Sequence, residues 1–393
     1  MQKFYMIGMS DDRRQYFPPD VTEIITRGTV FSGGKRHHEI VASLLPAEAC
    51  WIDITVPLDK VFAQYTDHTE IVVFASGDPL FFGFANTVKR KLPDAEIHLF
   101  PSFNSLQMLA HRRLIPYQDM KTVSLTGRPW QEFDAALIEG EPLLGVLTDR
   151  EKTPAAIAIH MLEYGYDNYQ ITVGEVLGNQ EEESVRIFSL EEAVKETFRF
   201  PNCLLLEQTD KRPRPFGIPE NEFQLLNGRS KMITKMPVRL LTLSMLDLRS
   251  RSSFWDIGFC TGSVSIEAKL QFPHLLVTAF ERRPEGKELM ELNSRKFGTP
   301  GITTVIGDFM DMDISSLPAP DAVFIGGHGG QLIEILQKID KILLPGGIIV
   351  FNSVSEESQE LFRKGIALLN RKITDCIRIS VDMFNPIEII KAQ

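Results

Sequence analysis

From Lys235 onward the sequence keeps one rhythm, in which a short apolar run is followed by a turn and then by a segment with apolar residues at helical spacing. "SSFWDIG" precedes "SVSIEAKLQF", "LLVTAFE" precedes "EGKELMELNSRKF", and "GGIIVFNS" precedes "EESQELFRKGIALL"; "ITTVIGD", "PDAVFIGG" and the helical "QLIEILQKIDKIL" complete the series. Strands joined through helices lie parallel and need helices on both faces, so the alternation restricts this half to a doubly wound α/β sheet. The last two runs, "CIRISVDM" and "PIEIIKA", have no helix between them and predict a closing antiparallel pair.

The first half also alternates. "KFYMIGM", "GTVFSGG", "EIVVFASG", "EIHLFPS", "MKTVSLTG" and "PLLGVLTD" read as strands that feed loops at one sheet edge. After them "NYQITVGEVLG", "ESVRIFSL" and "NCLLLEQ" are separated by one clear helical stretch, "SLEEAVKETF", which predicts a second, partly antiparallel sheet. Between Gln208 and Met232 the pattern gives way to "QTDKRPRPFGIPENEFQLLNGRSK", rich in Pro, Gly and charge. This reads as a linker, giving domains at 1–207 and 232–393 joined by 208–231.

Composition sets the class. The chain has 393 residues, is 43% hydrophobic and 24% charged, and carries a formal charge of -10. That balance speaks against a general nucleic-acid binder but leaves room for a local basic pocket. The four cysteines form no C-x-x-C pair, so no metal site is expected and a reduced, cytoplasmic setting is. No apolar run reaches the ~20 residues that span a bilayer, so no membrane partner is expected. Self-association stays open.

The turn "DIGFCTG" ends the first strand of the C-terminal half. A dinucleotide fingerprint wants glycine at three places, and here the second and third hold Cys260 and Ser263. A pyrophosphate needs bare backbone at the helix start. S-adenosylmethionine (SAM) has no phosphate and tolerates a small residue there. Asp256, Gly258 and Gly262 fit that looser turn, Glu281 ends the second strand where an acid can accept ribose hydroxyls, and Asp308 follows the third. Each acid alone reads equally as a helix cap or a solvated charge; together, in order, they form a nucleoside site. Cys260 has no adjacent base and reads as a small turn residue.

With these motifs, "MITKMPVRLLTLSMLDL", "FWDIGFCTGSVSIEA", "PDAVFIGGHGG" and "LLPGGIIVFNSV" resemble the decarboxylating C15-methyltransferases of corrin biosynthesis. The resemblance implies a Rossmann-like class I SAM-methyltransferase fold from Met232 on. It also implies SAM contacts from Thr234, Asp256, Gly258, Phe259, Cys260, Thr261, Gly262, Glu281, Asp308 and Phe309. Cys260 and the "GDFM" stretch depart from the usual pattern.

In the first half "FASGDPLFFGFA", beside "VFSGGKRH", "FPSFNSLQMLAHRR" and "SLTGRPW", resembles the tetrapyrrole methylases, in particular their C5-methylating branch. The resemblance implies a two-lobed fold in which Gly77, Asp78, Pro79, Gly83, Ser105, Thr126 and Gly127 approach SAM or the macrocycle. "GMSDD" lacks the Gly-Pro-Gly turn of that superfamily, and Thr126 stands where the branch usually has histidine. His37, His38 and His111 read as solvated or capping.

A chain with both resemblances fits the fused C5,15-methyltransferase (decarboxylating) family of corrin biosynthesis. The implied substrate is a tetrapyrrole with several carboxylates, which calls for basic groups. Lys235, Arg239, Arg282 and Arg283 flank the C-terminal turn, and Lys35, Arg36 and Arg128 the N-terminal motifs. His328, at a strand end among glycines, is a candidate for binding a carboxylate or moving a proton, and Lys235 and Arg239 are the further catalytic candidates; capping or solvation competes for each. Rival readings are a nicotinamide dehydrogenase, which lacks its glycines here; a SAM-dependent RNA methyltransferase, which would want a basic face; and a non-catalytic tetrapyrrole- or SAM-binding module.

Overall fold

A computed structural model describes residues 2–226, 232–382 and 385–393. The chain divides into two compact units: Met1–Arg128 with Pro142–Ile159 and Tyr169–Thr209, and Pro129–Glu141 with His160–Asn168 and Asp210–Gln393. Two stretches read from sequence as part of the N-terminal domain, 129–141 and 160–168, thus group with the second unit.

In the first unit, β1 (Lys3–Met9), α1 (Pro19–Arg27), β2 (Val30–Gly33), α2 (Lys35–Val41), β3 (Cys50–Asp53), α3 (Asp59–Tyr65), β4 (Glu70–Ser76), α4 (Phe84–Lys91) and β5 (Glu96–Phe100) form a parallel sheet with its helices, in strand order β3-β2-β4-β1-β5. Side chains alternate across a strand, so β1 sends Phe4 and Met6 into one core and Tyr5, Ile7 and Met9 into the other. Both faces are covered, which is why β4 reads as an unbroken apolar run. α5 (Ser105–Arg113) starts at Asn104, whose side chain accepts the Gln107 N–H at 2.9 Å while the Gln107 side chain accepts the Asn104 N–H at 3.0 Å.

The second sheet has the order β6-β7-β10-β8-β9. It is built from β6 (Lys121–Ser124), β7 (Leu143–Leu147), β8 (Tyr169–Glu175), β9 (Ser184–Ser189) and β10 (Asn202–Gln208), with α6 (Gln131–Glu139), α7 (Pro154–Glu163) and the one-turn α8 (Leu190–Ala193) between them in sequence. β6 and β7 are parallel and the other pairs antiparallel, the mixed sheet expected from sequence.

The second unit opens its regular part with α9 (Met236–Met245). β11 (Ser253–Ile257), α10 (Ser263–Gln271), β12 (Leu276–Glu281), α11 (Glu285–Phe297), β13 (Ile302–Ile306), β14 (Ala322–Ile325), α12 (Leu332–Asp340), β15 (Ile348–Ser353) and α13 (Glu356–Leu368) follow, then the strands β16 (Ile373–Ile379) and β17 (Ile387–Ala392). The order β13-β12-β11-β14-β15-β17-β16 makes a Rossmann-like sheet whose last strand slips between β15 and β16 and runs antiparallel to both. Trp255 and Ile257 enter one core while Phe254 enters the other, so Asp256 lies on Phe254's side of the sheet.

The stretch read as a linker is packed, not loose. Ile218 and Phe223 are buried with Ile138, Ile266 and Met290. The Gly217 and Ile218 N–H groups donate to the Glu267 carboxylate at 2.7 and 3.1 Å. Residues 227–231 of that expected linker lie outside the described residues. Among the described residues no helix is long and apolar enough to cross a membrane.

Candidate active sites

Strand β11 delivers the chain into a turn with Gly258, Cys260 and Gly262 all at positive φ (79°, 53° and 76°). Gly258 is held to glycine by contact as well, because a Cβ there would stand 2.8 Å from the Gly327 N that follows β14. Cys260 therefore does a glycine's conformational task in the middle of the turn, where an L-residue costs about 1–2 kcal/mol. Burial, with Glu281 nearby, pushes its thiol up to about 11, so it is no nucleophile at neutral pH. The side chains between these positions, Phe259 and Thr261, are buried (5% and 1% exposed) and face the core.

Beneath the turn sits Asp256, fully buried. Ser265 Oγ donates to its Oδ2 at 2.6 Å, while Oδ1 has no hydrogen-bond partner among the described residues. Burial pushes this carboxyl up to about 7, the Ser265 bonds oppose that, and the like charge of Glu281 adds to it. At the end of β12 the Glu281 carboxylate is 4% exposed; it accepts the Cys260 N–H at 2.9 Å and the Arg283 N–H at 2.9 Å. It thereby ties the turn to the neighbouring strand. Arg283 Nη1 also reaches Oε1, at 3.4 Å; a carboxylate has about four lone-pair sites, so about one, on Oε2, remains for a ligand's hydroxyl.

The loop after β13 carries Asp308, which accepts the Met310 N–H at 3.0 Å and faces Arg282 Nε at 3.6 Å. Lys338, on α12, donates to the carbonyls of Phe309, Met310 and Met312 at 2.6, 3.0 and 2.7 Å. This clamp fixes the loop. His328, after β14, accepts the Gly330 N–H on Nδ1 at 3.2 Å. Burial holds its pKa below the usual value, so the ring is neutral, and with Nδ1 accepting, its hydrogen sits on Nε2.

In the first unit, loops after β1, β2, β4 and β5 meet. The Gly77 N–H donates to Met9 O at 2.8 Å, and the Ser102 N–H to Gly77 O at 3.3 Å. Gly77 takes φ +61°, and a Cβ there would lie 2.6 Å from Asn104 Cα. Asp78 accepts the Leu80 N–H at 2.8 Å, Pro79 is buried, and Gly83 begins α4. Ser105 opens α5 and lies beside the buried Cys203 thiol. On the other lobe Thr126 Oγ1 donates to Thr148 O at 2.9 Å and the Gly127 N–H to Asp149 at 2.9 Å. Arg128 lies over the Phe82 ring, 5.0 Å from its centroid, and joins the two loop sets.

Residues 227–392 match the family described as a precorrin methyltransferase domain. A curated relative from Sinorhizobium sp., named precorrin-6Y C(5,15)-methyltransferase (decarboxylating), is 31% identical over 385 residues, 97% of this chain and 91% of that protein. The chain belongs to the precorrin-6Y C5,15-methyltransferase (decarboxylating) family. A cobalt-precorrin-6B C(15)-methyltransferase (decarboxylating) from Salmonella typhimurium is 36% identical over 162 residues, 41% of this chain and 83% of that protein. The crystal structure of a precorrin-6y C5,15-methyltransferase from Geobacter metallireducens matches 47% of this chain and 99% of its own, at 34% identity and a TM-score of 0.42.

For a member of the C5,15-methyltransferase family, some expected roles move. Arg239 was expected beside the substrate, but it is 0% exposed and paired at 3.2 Å with the equally buried Glu267. It also donates to Thr234 O at 2.9 Å and to Ile218 O, and lies over the Phe223 ring at 5.2 Å. It is a core clamp, not a substrate-facing cation. Phe309 buries its ring edge-on to Phe280, so its side chain is not available to a ligand. Thr234 and Lys235 stand partly exposed just before α9. His38 stacks on Trp51 and His111 is exposed beside Phe103, as structural histidines do. His37, which reads as solvated or capping, does cap α2 by accepting the Gly34 N–H on Nδ1, and it also hydrogen-bonds Ser76, which sequence reasoning passed over although it precedes Gly77 in the quoted motif. Lys338 was also passed over, because one lysine on an amphipathic helix looks like any solvated charge.

Proposed function

We propose that this chain is a bifunctional SAM-dependent methyltransferase of corrin biosynthesis acting on a precorrin-6Y-type macrocycle. The C-terminal unit methylates C15 and removes carbon dioxide from the ring-C acetate, and the N-terminal unit methylates C5. The observation that carries this is the buried Asp256, with Oδ1 unpaired beneath a glycine-like turn that Glu281 braces, in a chain of this family. An unpaired buried carboxylate oxygen calls for a cationic or N–H partner, and the ammonium end of SAM is one.

The residues present fit that donor. The Gly258–Gly262 turn offers the close backbone approach, Glu281 has acceptor capacity for a ribose hydroxyl, and Asp308 with the main chain of Phe309 borders the base. When bound, SAM supplies an electrophilic methyl on sulfur. The chain's own task is to hold the macrocycle in line with that methyl and exclude water. In decarboxylation the acetate C–C bond breaks, its electron pair enters the conjugated ring, and a proton from solvent then converts the carbanion to a methyl. The neutral His328 donates Nε2–H to a substrate carboxylate; a neutral imidazole is too weak an acid to deliver the proton itself. The partly exposed Lys235, before α9, and the exposed Arg282 and Arg283, after β12, are basic groups that would meet further carboxylates. Four free cysteines suit a cytoplasmic setting.

The test is incubation with SAM and the macrocycle, read by mass spectrometry. Wild type should add two methyl groups and lose carbon dioxide. Asp78→Ala should impair C5 methylation and spare C15. Loss of both methylations together in that variant, with the fold intact, would refute the division of labour.

A further inference from the structure

Three groups converge at the carboxyl edge of the first sheet in an arrangement that the assigned roles leave unused. Ser76, the exposed last residue of β4, has His37 Nε2 at 2.9 Å and Arg36 Nη2 at 3.1 Å from its Oγ. The Gly34 N–H points at His37 Nδ1 at 3.2 Å. A backbone N–H can only donate, so Nδ1 is the acceptor and the neutral ring carries its proton on Nε2. Burial beside Arg36 holds the ring's pKa down to about 4, which keeps it neutral at working pH. The serine oxygen therefore receives two donated hydrogens. Its own hydrogen has no acceptor among the described residues and must leave the cluster.

We propose that the Ser76 hydroxyl is a binding group of the N-terminal unit, directed by His37 and Arg36 to donate its hydrogen to a carboxylate of the tetrapyrrole. This rests on the methylase reading of that unit. The choice of a carboxylate follows from donor geometry, since the site offers an O–H aimed outward and a guanidinium beside it. Arg36 is itself fixed, with Nε 3.1 Å from Asp11 Oδ1, and Asp11 is 7% exposed. Its charge is thus matched, and the hydroxyl supplies the direction. The choice of the macrocycle over the methyl donor's own carboxylate follows from the neighbours. Leu80, Phe82 and Phe103, on the loops after β4 and β5, are 46%, 37% and 57% exposed. Phe82 also holds φ +52°, a conformation rare for an aromatic residue and kept where surroundings enforce it. Exposed apolar side chains on the loops that leave the same sheet edge suit a flat, carboxylate-fringed ligand.

The experiment uses the full chain and two probes. Octacarboxylic uroporphyrin I is titrated by absorbance, and S-adenosylhomocysteine by calorimetry. Ser76→Ala should weaken porphyrin binding about tenfold, the scale of one hydrogen bond to a charged group, and leave S-adenosylhomocysteine unchanged. Ser76→Thr, which keeps the hydroxyl, should bind both as wild type does. His37→Gln keeps an N–H near the Nε2 position and should stay near wild type, while His37→Leu frees the hydroxyl to rotate and should weaken porphyrin binding. Unchanged porphyrin binding in Ser76→Ala overturns the proposal, as does equal weakening in Ser76→Ala and Ser76→Thr, or a wild type that binds no porphyrin. Loss of S-adenosylhomocysteine alone would give the hydroxyl to the methyl donor and overturn the macrocycle seat. Methyl transfer at C5 is assayed apart: a wild type that binds both probes with this pattern but transfers no methyl refutes the reaction and leaves the seat standing.

Discussion

Asp256 is pulled two ways, since the protein buries it without a full set of partners and, on the proposed function, the methyl donor supplies one. A carboxyl raised to about 7 in the folded state, against about 3.9 when unfolded, binds more protons folded than unfolded. Stability should then fall as pH rises from about 4 to about 7, where the buried group is forced to ionise. Asp256→Asn keeps the oxygen that accepts from Ser265 and removes the charge. At pH 8 it should be more stable than wild type by roughly 2–4 kcal/mol in urea unfolding, with the difference vanishing near pH 4. In the wild type a bound ammonium favours the ionised form, so SAM should bind more tightly as pH rises through 7 and release a proton, seen as a buffer-dependent calorimetric enthalpy. Asp256→Asn should lose both effects. Glu281 makes a second residue-scale case. Glu281→Ala removes the acceptor of the Cys260 and Arg283 N–H groups together with any ribose contact. Affinity at one of two SAM sites should fall tenfold to about a hundredfold, on the scale of charge-assisted hydrogen bonds, with C5 methylation untouched. A stability loss of about 1 kcal/mol with normal SAM binding would reduce Glu281 to a cap.

At the scale of elements, the loop after β13 is held from outside, by Lys338 of α12 through three carbonyls. Lys338→Met keeps the stem over the Phe309 ring and deletes the donors. The KM for SAM in C15 methylation should rise several-fold with kcat little changed, while C5 kinetics stay as they were; a fall in kcat with KM constant would mean that the loop acts in the chemical step instead. Elements of this kind also mark how far sequence carries. The βαβ rhythm of β11 to α13 was legible because strand and helix periods differ, and because each strand is buried on both faces. So was the final antiparallel pair; its insertion order was not, since sequence shows that two strands pair but not beside what. β3 was missed: only Ile52 of its four residues is buried, which leaves no apolar run to read. α9 went unassigned because its start lies among Pro and Lys. The turn at Gly258 and the acid at Glu281 were visible as chemistry at fixed places. The Ser76–His37 contact and the Arg239–Glu267 pair join residues 39 and 28 positions apart, and no local pattern encodes them.

For the whole molecule, the question is how much of the chain the C-terminal unit needs. Arg239 and Glu267 are both 0% exposed, and the stretch before residue 227 completes their bonding: the Gly217 and Ile218 amides reach Glu267, Ile218 O accepts from Arg239, and Phe223 lies under the guanidinium. A buried ion pair tolerates desolvation only while such bonds persist. A fragment 210–393 should therefore fold and bind one SAM. A fragment 232–393 uncovers the pair and the apolar faces of Ile266 and Met290, and should be less stable by about 3–5 kcal/mol or fail to fold. Fragment 210–393 should itself fall short of the intact chain, because Ile138 of α6 belongs to the same cluster and is lost. Urea unfolding followed by circular dichroism ranks the three, and calorimetry counts the SAM sites. Equal stability of 232–393 and 210–393 would mean that the buried pair is satisfied without the preceding segment, and that 208–231 is a tether as its composition first suggests.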